Sequence, residues 1–216
     1  MLQHVWERSL RARRLTRLLV ATDDERIAAE ARRFGAEVRM TRRDHPSGTD
    51  RVAEVAGAVR ADLVVNIQGD EPLIDPAAID AAVEGLLAGS AAPMGTLAKR
   101  ITDPGELDNP NVVKVVMDLS GHALYFSRWP IPYVREGRAE RYKHIGLYVY
   151  RRDFLLAYPG LRRGPLEEAE KLEQLRALEN GFQIRVVETE YESCGVDTPE
   201  DLARVAAMLE ERLRDI

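Results

Sequence analysis

The chain has 216 residues, 45% of them hydrophobic, and a formal net charge of -5. That length suits one large domain with an ample core, and the acidic balance argues against nucleic-acid binding, leaving anionic ligands to local arginines or a metal. Cys194 stands alone, which excludes an intrachain disulfide and fits a reducing, cytoplasmic setting; no apolar run approaches the roughly 18 residues of a membrane helix, and neither a membrane span nor a signal peptide is expected.

In chain order, residues 1–13 read as a helix, with Leu2, Val5, Trp6, Ser9 and Leu10 on one face. Leu18-Leu19-Val20-Ala21-Thr22 is a buried-strand run, and Asp23-Asp24-Glu25 supplies an acidic start for a helix that Gly35 closes. A short strand over 37–41 follows. Next, His45-Pro46-Ser47-Gly48-Thr49-Asp50-Arg51 is a small-residue loop entering a helix through Val59. Thr49 or Asp50 can cap it, leaving backbone N–H groups, hydroxyls and Arg51 for a ligand; a plain capped helix start is the alternative.

Asp62-Leu63-Val64-Val65-Asn66-Ile67-Gln68-Gly69-Asp70-Glu71-Pro72 is the stretch richest in chemistry. A β-branched strand ends in an amide, a glycine and two carboxylates. Ligands of open α/β sheets bind beyond the carboxyl ends of the strands, and a carboxylate there suits Mg2+. Polar turn residues are the simpler reading of the same pattern. Asp75-Pro76 then starts a helix running to about Leu87, with Gly89 as its end. The order to this point is strand and helix in alternation, which predicts a doubly wound, mostly parallel mixed sheet of the α/β class.

Beyond it, residues 94–100 read as a strand, and residues 109–150 as a β-rich lobe inserted on the sheet within a single domain spanning 1–216. That lobe holds a hairpin around Asp118-Leu119-Ser120-Gly121 and a strand over 142–150 that carries His144 and Tyr148. Residues 167–180 are predicted as one amphipathic helix, with Leu172, Leu175 and Leu178 inward, Glu173 and Gln174 between them, and Gly181 as stop. After a strand over 182–187, Thr198, Pro199 and Asp201 form a capping arrangement for the terminal helix. Asp197 sits one residue outside it, where a helix-dipole partner is the plain reading.

Seven blocks together carry a resemblance: Asp44-His45-Pro46-Ser47-Gly48-Thr49-Asp50-Arg51, Val65-Asn66-Ile67-Gln68-Gly69-Asp70-Glu71-Pro72, Asn109-Pro110-Asn111-Val112-Val113-Lys114, Tyr125-Phe126-Ser127-Arg128, His144-Ile145-Gly146-Leu147-Tyr148, Leu172-Glu173-Gln174-Leu175-Arg176 and Gly195-Val196-Asp197-Thr198-Pro199-Glu200-Asp201. In this order the chain resembles the bacterial 3-deoxy-manno-octulosonate (Kdo) cytidylyltransferases, of the nucleotide-diphospho-sugar transferase fold. The resemblance implies CTP and Kdo as substrates, Mg2+ as cofactor, a homodimer, and CMP-Kdo for lipopolysaccharide synthesis as product. It implies Asp70 and Asp197 as catalytic metal ligands, and Ser47, Gly48, Thr49, Asp50 and Arg51 as the loop against the cytidine. Gln68, Arg128, His144, Tyr148, Glu173 and Gln174 match the sugar-acid pocket. A cytidylyltransferase for another acidic sugar, such as sialic acid, would share the aspartates. The family opens with a strand and a Gly/Arg/Lys phosphate loop that this sequence does not show ahead of residue 1. The expectation is therefore that the chain as given is a truncated, inactive form, less stable than one extended upstream.

Overall fold

The apolar periodicity of the first half resolves into α1 (Leu2–Ser9), β1 (Val20–Thr22), α2 (Glu25–Arg33), β2 (Val38–Met40), α3 (Gly48–Gly57), β3 (Leu63–Asn66), α4 (Pro76–Leu87) and β4 (Met94–Arg100). Then come α5 (Pro104–Asp108), β5 (Lys114–Met117), β6 (Ala123–Ser127), β7 (Tyr142–Arg151), α6 (Arg152–Ala157) and a 3-10 turn (Tyr158–Gly160). The chain ends with α7 (Pro165–Glu170), α8 (Leu175–Glu179), β8 (Ile184–Glu188) and α9 (Pro199–Arg214). The structure, a computed structural model, describes residues 1–88 and 91–214; Gly89, expected to end α4, lies outside the described residues.

Local chemistry sets most helix starts. The carboxylates of Asp24, Asp75 and Asp103 accept the N–H groups of Arg26, Ala77 and Gly105, capping α2, α4 and α5. At α3 the cap is Ser47, not Thr49 or Asp50: its hydroxyl accepts the Asp50 N–H at 3.2 Å and donates to the Asp50 carboxylate at 2.5 Å. At α9 Thr198 and Asp201 exchange bonds reciprocally, as their spacing predicts. Helix α1 stops earlier than its apolar face suggests, because the chain turns so that the N–H groups of Arg13 and Arg14 reach the Asp80 carboxylate on α4.

The expected single helix over 167–180 is broken in two. Lys171 takes a left-handed conformation (φ 54°) and closes α7. The break lets Arg176 fold back on Glu167 in a buried pair at 2.8 and 2.5 Å, while the Glu179 carboxylate caps the N–H groups of Leu166 and Glu167. Glu173 and Gln174 consequently lie in the turn between the two short helices.

Strand β7 is the centre of a six-stranded sheet. On one side it pairs with β4 along most of its length; on the other, β5 takes its start (Lys143, Tyr142) and β3 its end (Tyr148 to Arg151). Strands β3, β4, β5 and β8 run one way and β6 and β7 the other, while β1 and β2 form a separate parallel pair. Residues 109–150, expected as a lobe on the sheet, thus supply β5, β6 and β7 to the sheet itself.

Buried side chains lie on both faces. Ala53, Met94, Phe126, Tyr150, Leu155, Leu175 and Ile184 make one cluster; Ile74, Ile79, Leu86, Leu97, Ile145 and Val149 make the other. Helix α4 lies so close on β8 that a Cβ at Gly85 would collide with the Val187 side chain. No helix among the described residues is long and apolar enough to cross a membrane.

Candidate active site

Three groups of residues gather where β3 and β5 part along β7. The first is the turn after β3. Here the Val196 N–H donates to the Asp70 carbonyl at 3.0 Å, which lays the segment before α9 against the turn. Half-buried Asp70 has its carboxyl raised above the ordinary carboxylate range, chiefly by burial, with the negative charge of Asp197 adding to it. A half-buried carboxylate at a sheet edge, with a second carboxylate near it, is a donor set that suits a hard dication. Among the described residues no group of three or more His, Cys, Asp or Glu side chains converges as a metal cage. Gln68, in the same turn, is exposed.

The second group is the start of α3. Its side chains are already engaged within the protein. Besides the Ser47–Asp50 pair, the Thr49 hydroxyl donates to the Glu173 carboxylate at 2.9 Å. Arg51 pairs with Asp23 at 3.2 Å and also donates to the Thr41 hydroxyl and the Arg42 carbonyl. Rather than standing free for a ligand, as the loop composition suggests, Arg51 ties the ends of β1 and β2 to α3. A Cβ at exposed Gly48 would meet nothing within 4 Å, so the open surface of this loop is its backbone.

The third group lies on one face of β7. A register shift opposite Thr96 and Leu97 bulges β7 and puts His144 and Tyr148 side by side, ring centroids 5.3 Å apart, with Phe126 edge-on to His144 at 5.1 Å. Thr96 Oγ1 is 2.9 Å from His144 Nε2 and within 3.0 and 2.9 Å of the Ile145 and Leu147 carbonyls. With Nε2 carrying the ring proton, His144 donates to Thr96, the hydroxyl proton goes to a carbonyl, all three contacts are compatible and Nδ1 is left as an acceptor. Burial pushes the imidazole down to about 3, which keeps it neutral. Burial likewise holds the Tyr148 phenol well above its usual value, with the Tyr150, Tyr158 and Glu173 charges adding to it. This face can therefore offer neutral hydrogen bonds to a polyol. Glu173 joins it to the second group, and the Tyr158 hydroxyl donates to the Glu173 carbonyl at 2.5 Å. Gln174 is buried beside it.

Arg128 is anchored rather than loose. Its Nε donates to the Glu170 carbonyl and its Nη1 to the Pro110 carbonyl, each at 2.9 Å, while Glu170 also accepts from the Ser127 hydroxyl and the Arg128 N–H. Lys114, not among the candidate site residues of the sequence, is fully buried next to this cluster and donates to the Asn109 carbonyl at 3.0 Å. Its pKa is lowered by burial, and the charges of Asp108, Glu170 and Arg128 all bear on it. A lone lysine in an otherwise apolar strand was the signal available for it. Thr96 gave no such signal. Two surface clefts, at residues 11–14 against α4 and around 137–141, contain none of the candidate residues.

Comparison with known proteins bears on what this arrangement does. Residues 1–188 match the family model described as Cytidylyltransferase. The chain is 65% identical over 210 residues to a 3-deoxy-manno-octulosonate cytidylyltransferase of Solibacter usitatus, covering 96% of this chain and 83% of that one. It is 56% identical to the enzyme of the same name from Geobacter sulfurreducens, covering 97% and 88%. A solved structure described as CMP:2-keto-3-deoxy-manno-octonic acid synthetase complexed with CTP superimposes with a TM-score of 0.93 at 43% identity, covering 98% of this chain and 88% of that one.

Proposed function

The chain belongs to the cytidylyltransferase family, and from that premise we infer that it transfers CMP from CTP to Kdo, giving CMP-Kdo and pyrophosphate. The product activates Kdo for lipopolysaccharide synthesis. The observation that carries this reading is the Val196 N–H bond to the Asp70 carbonyl, which lays the segment holding Asp197 against the turn of Asp70 at the sheet edge, in a chain of this family. The Kdo anomeric oxygen attacks the α-phosphorus of CTP in line; the bond to the β-phosphate oxygen breaks and pyrophosphate leaves. Such transfers depend on positioning and on neutralising charge at the phosphate oxygens. Asp70 and Asp197 would hold Mg2+, which supplies that neutralisation when bound.

The other residues bind and orient. The exposed backbone at Gly48 meets the nucleotide, while Ser47, Thr49, Asp50 and Arg51 keep that loop in shape. His144 accepts a sugar hydroxyl through Nδ1, and the Tyr148 phenol donates to another. Arg128, fixed through Nε and Nη1, offers its remaining guanidinium N–H groups to the Kdo carboxylate. Gln68, Glu173 and Gln174 border the same space. We assign the reaction to the cytoplasm, where CTP is available. We also assign the active form as a homodimer, for which exposed Leu124 on β6 and the following Trp129 (77% exposed) and Tyr133 (90%) supply an apolar surface. Light scattering that gives a monomer mass at working concentration contradicts the dimer.

The function is tested by pyrophosphate release in the full-length protein, with CTP or ATP as donor and Kdo or sialic acid as acceptor. Release with CTP and Kdo alone is expected. A preference for sialic acid, or no release with Kdo, overturns the assignment.

A further inference from the structure

Residues 189–198 lie in neither helix nor strand, so no backbone ladder fixes Asp197. Its first residues are tied to β4 and β7, the Thr189 N–H to the Ala98 carbonyl at 2.9 Å and Glu192 to Lys99 and Lys143, and the segment is further held by a set of bonds to the turn after β3. Glu71, next to Asp70, accepts from three donors in it: the Tyr191 hydroxyl at 2.8 Å, the Cys194 N–H at 3.2 Å and the Ser193 hydroxyl. Oε1 takes the serine and Oε2 the other two. The Val196 N–H meets the Asp70 carbonyl at 3.0 Å. Two adjacent residues of one turn thus grip a segment whose last residue is Asp197, and beyond it the Thr198–Asp201 capping bonds fix the start of α9.

We propose that Glu71 is the positioning residue that sets Asp197 against Asp70, through its clamp on Tyr191, Ser193 and Cys194. The proposal rests on the reading of Asp70 and Asp197 as the metal-holding pair. The chemistry requires a carboxylate. Three donors converge on one side chain, and an ionised carboxyl is acceptor-only, with room for all of them. A glutamine would keep one acceptor oxygen but turn an N–H2 group towards the remaining donors. Placing a third carboxylate beside Asp70 and Asp197 is electrostatically costly, and charge-assisted bonds from three donors offset that cost. Both oxygens being so engaged, Glu71 acts on a metal through Asp197 and not as a ligand itself.

Groups that orient metal ligands typically change metal affinity or activity by roughly 10–100-fold when removed. The test uses full-length protein carrying Glu71→Gln, Tyr191→Phe, Ser193→Ala, Asp70→Asn or Asp197→Asn. Mn2+ binding in the presence of CTP is followed by electron paramagnetic resonance, and amide exchange at residues 194 and 196 by hydrogen–deuterium exchange on metal-free protein. Expected are a roughly tenfold or greater weakening of Mn2+ binding and faster exchange in Glu71→Gln. Tyr191→Phe and Ser193→Ala, each losing one donor, shift both readouts the same way by less. Should Glu71→Gln fail to fold, those two decide. If the clamp variants only lower the urea midpoint, and the folded proteins bind Mn2+ like wild type while Asp197→Asn does not, Glu71 is structural and the proposal is overturned alone. If Asp70→Asn and Asp197→Asn also bind Mn2+ like wild type, the metal pair fails, and the proposal with it.

Discussion

Arg128 shows how a surface charge becomes a directed one. Two backbone carbonyls fix its guanidinium through Nε and Nη1, so little ordering is left for a ligand carboxylate to impose. Arg128→Lys keeps the charge and loses the fork. The expected result is a KM for Kdo raised roughly tenfold or more, as for a lost charge-assisted bond, with the KM for CTP nearly unchanged; equal effects on both substrates remove Arg128 from the sugar pocket. His144 gives a prediction in pH. Its imidazole falls from 6.5 to about 3 on folding, because burial opposes the charge. Between those values the unfolded chain binds the extra proton, so stability rises with pH there and is lost as pH falls below about 6.5. The slope due to this group is up to about 1.4 kcal/mol per pH unit. Urea unfolding between pH 7 and pH 4 should therefore show a shallower decline in His144→Gln than in wild type, and parallel declines contradict the buried neutral imidazole.

At the scale of elements, the turn between α7 and α8 brings Glu173 and Gln174 to the site, and the Glu167–Arg176 pair holds that turn. Both side chains are buried, and the pair lifts the Arg176 guanidinium further above its already high value, mainly through the bond to Glu167. Removing one partner of such a pair strands the other charge. Glu167→Gln is expected to cost about 3–5 kcal/mol in urea unfolding, and a loss below about 1 kcal/mol contradicts the account. The sequence did not reveal this break. Leu172, Leu175 and Leu178 keep helical spacing across it, and only a partner nine positions away along the chain explains why the helix stops. The caps at Asp24, Asp75 and Thr198 were legible because cap and donor sit within three residues of each other. Ser47 was missed in favour of its neighbours, since several small polar residues in one loop satisfy the same local rule.

In the whole molecule, β7 comes late in the chain yet lies at the centre of the sheet, and this decides which residues meet. It lets β3 bring Asp70 to the end that carries Tyr148, and lets β4 bring Thr96 under His144. Asp70, His144, Tyr148 and Arg128 stand out in the sequence through the motif blocks that contain them. The bonds that orient them do not, because Glu71 and Tyr191 lie 120 positions apart and neither signals the other. The assignment as a whole depends on Asp70 and Asp197 acting at the phosphates of CTP. The most direct measurement follows the α-phosphorus of CTP by 31P NMR, in full-length protein with Kdo and Mg2+. Wild type should convert it to the phosphodiester of CMP-Kdo as pyrophosphate appears, and Asp70→Asn and Asp197→Asn should each leave CTP unconsumed. Conversion by either variant at near wild-type rate would contradict the account.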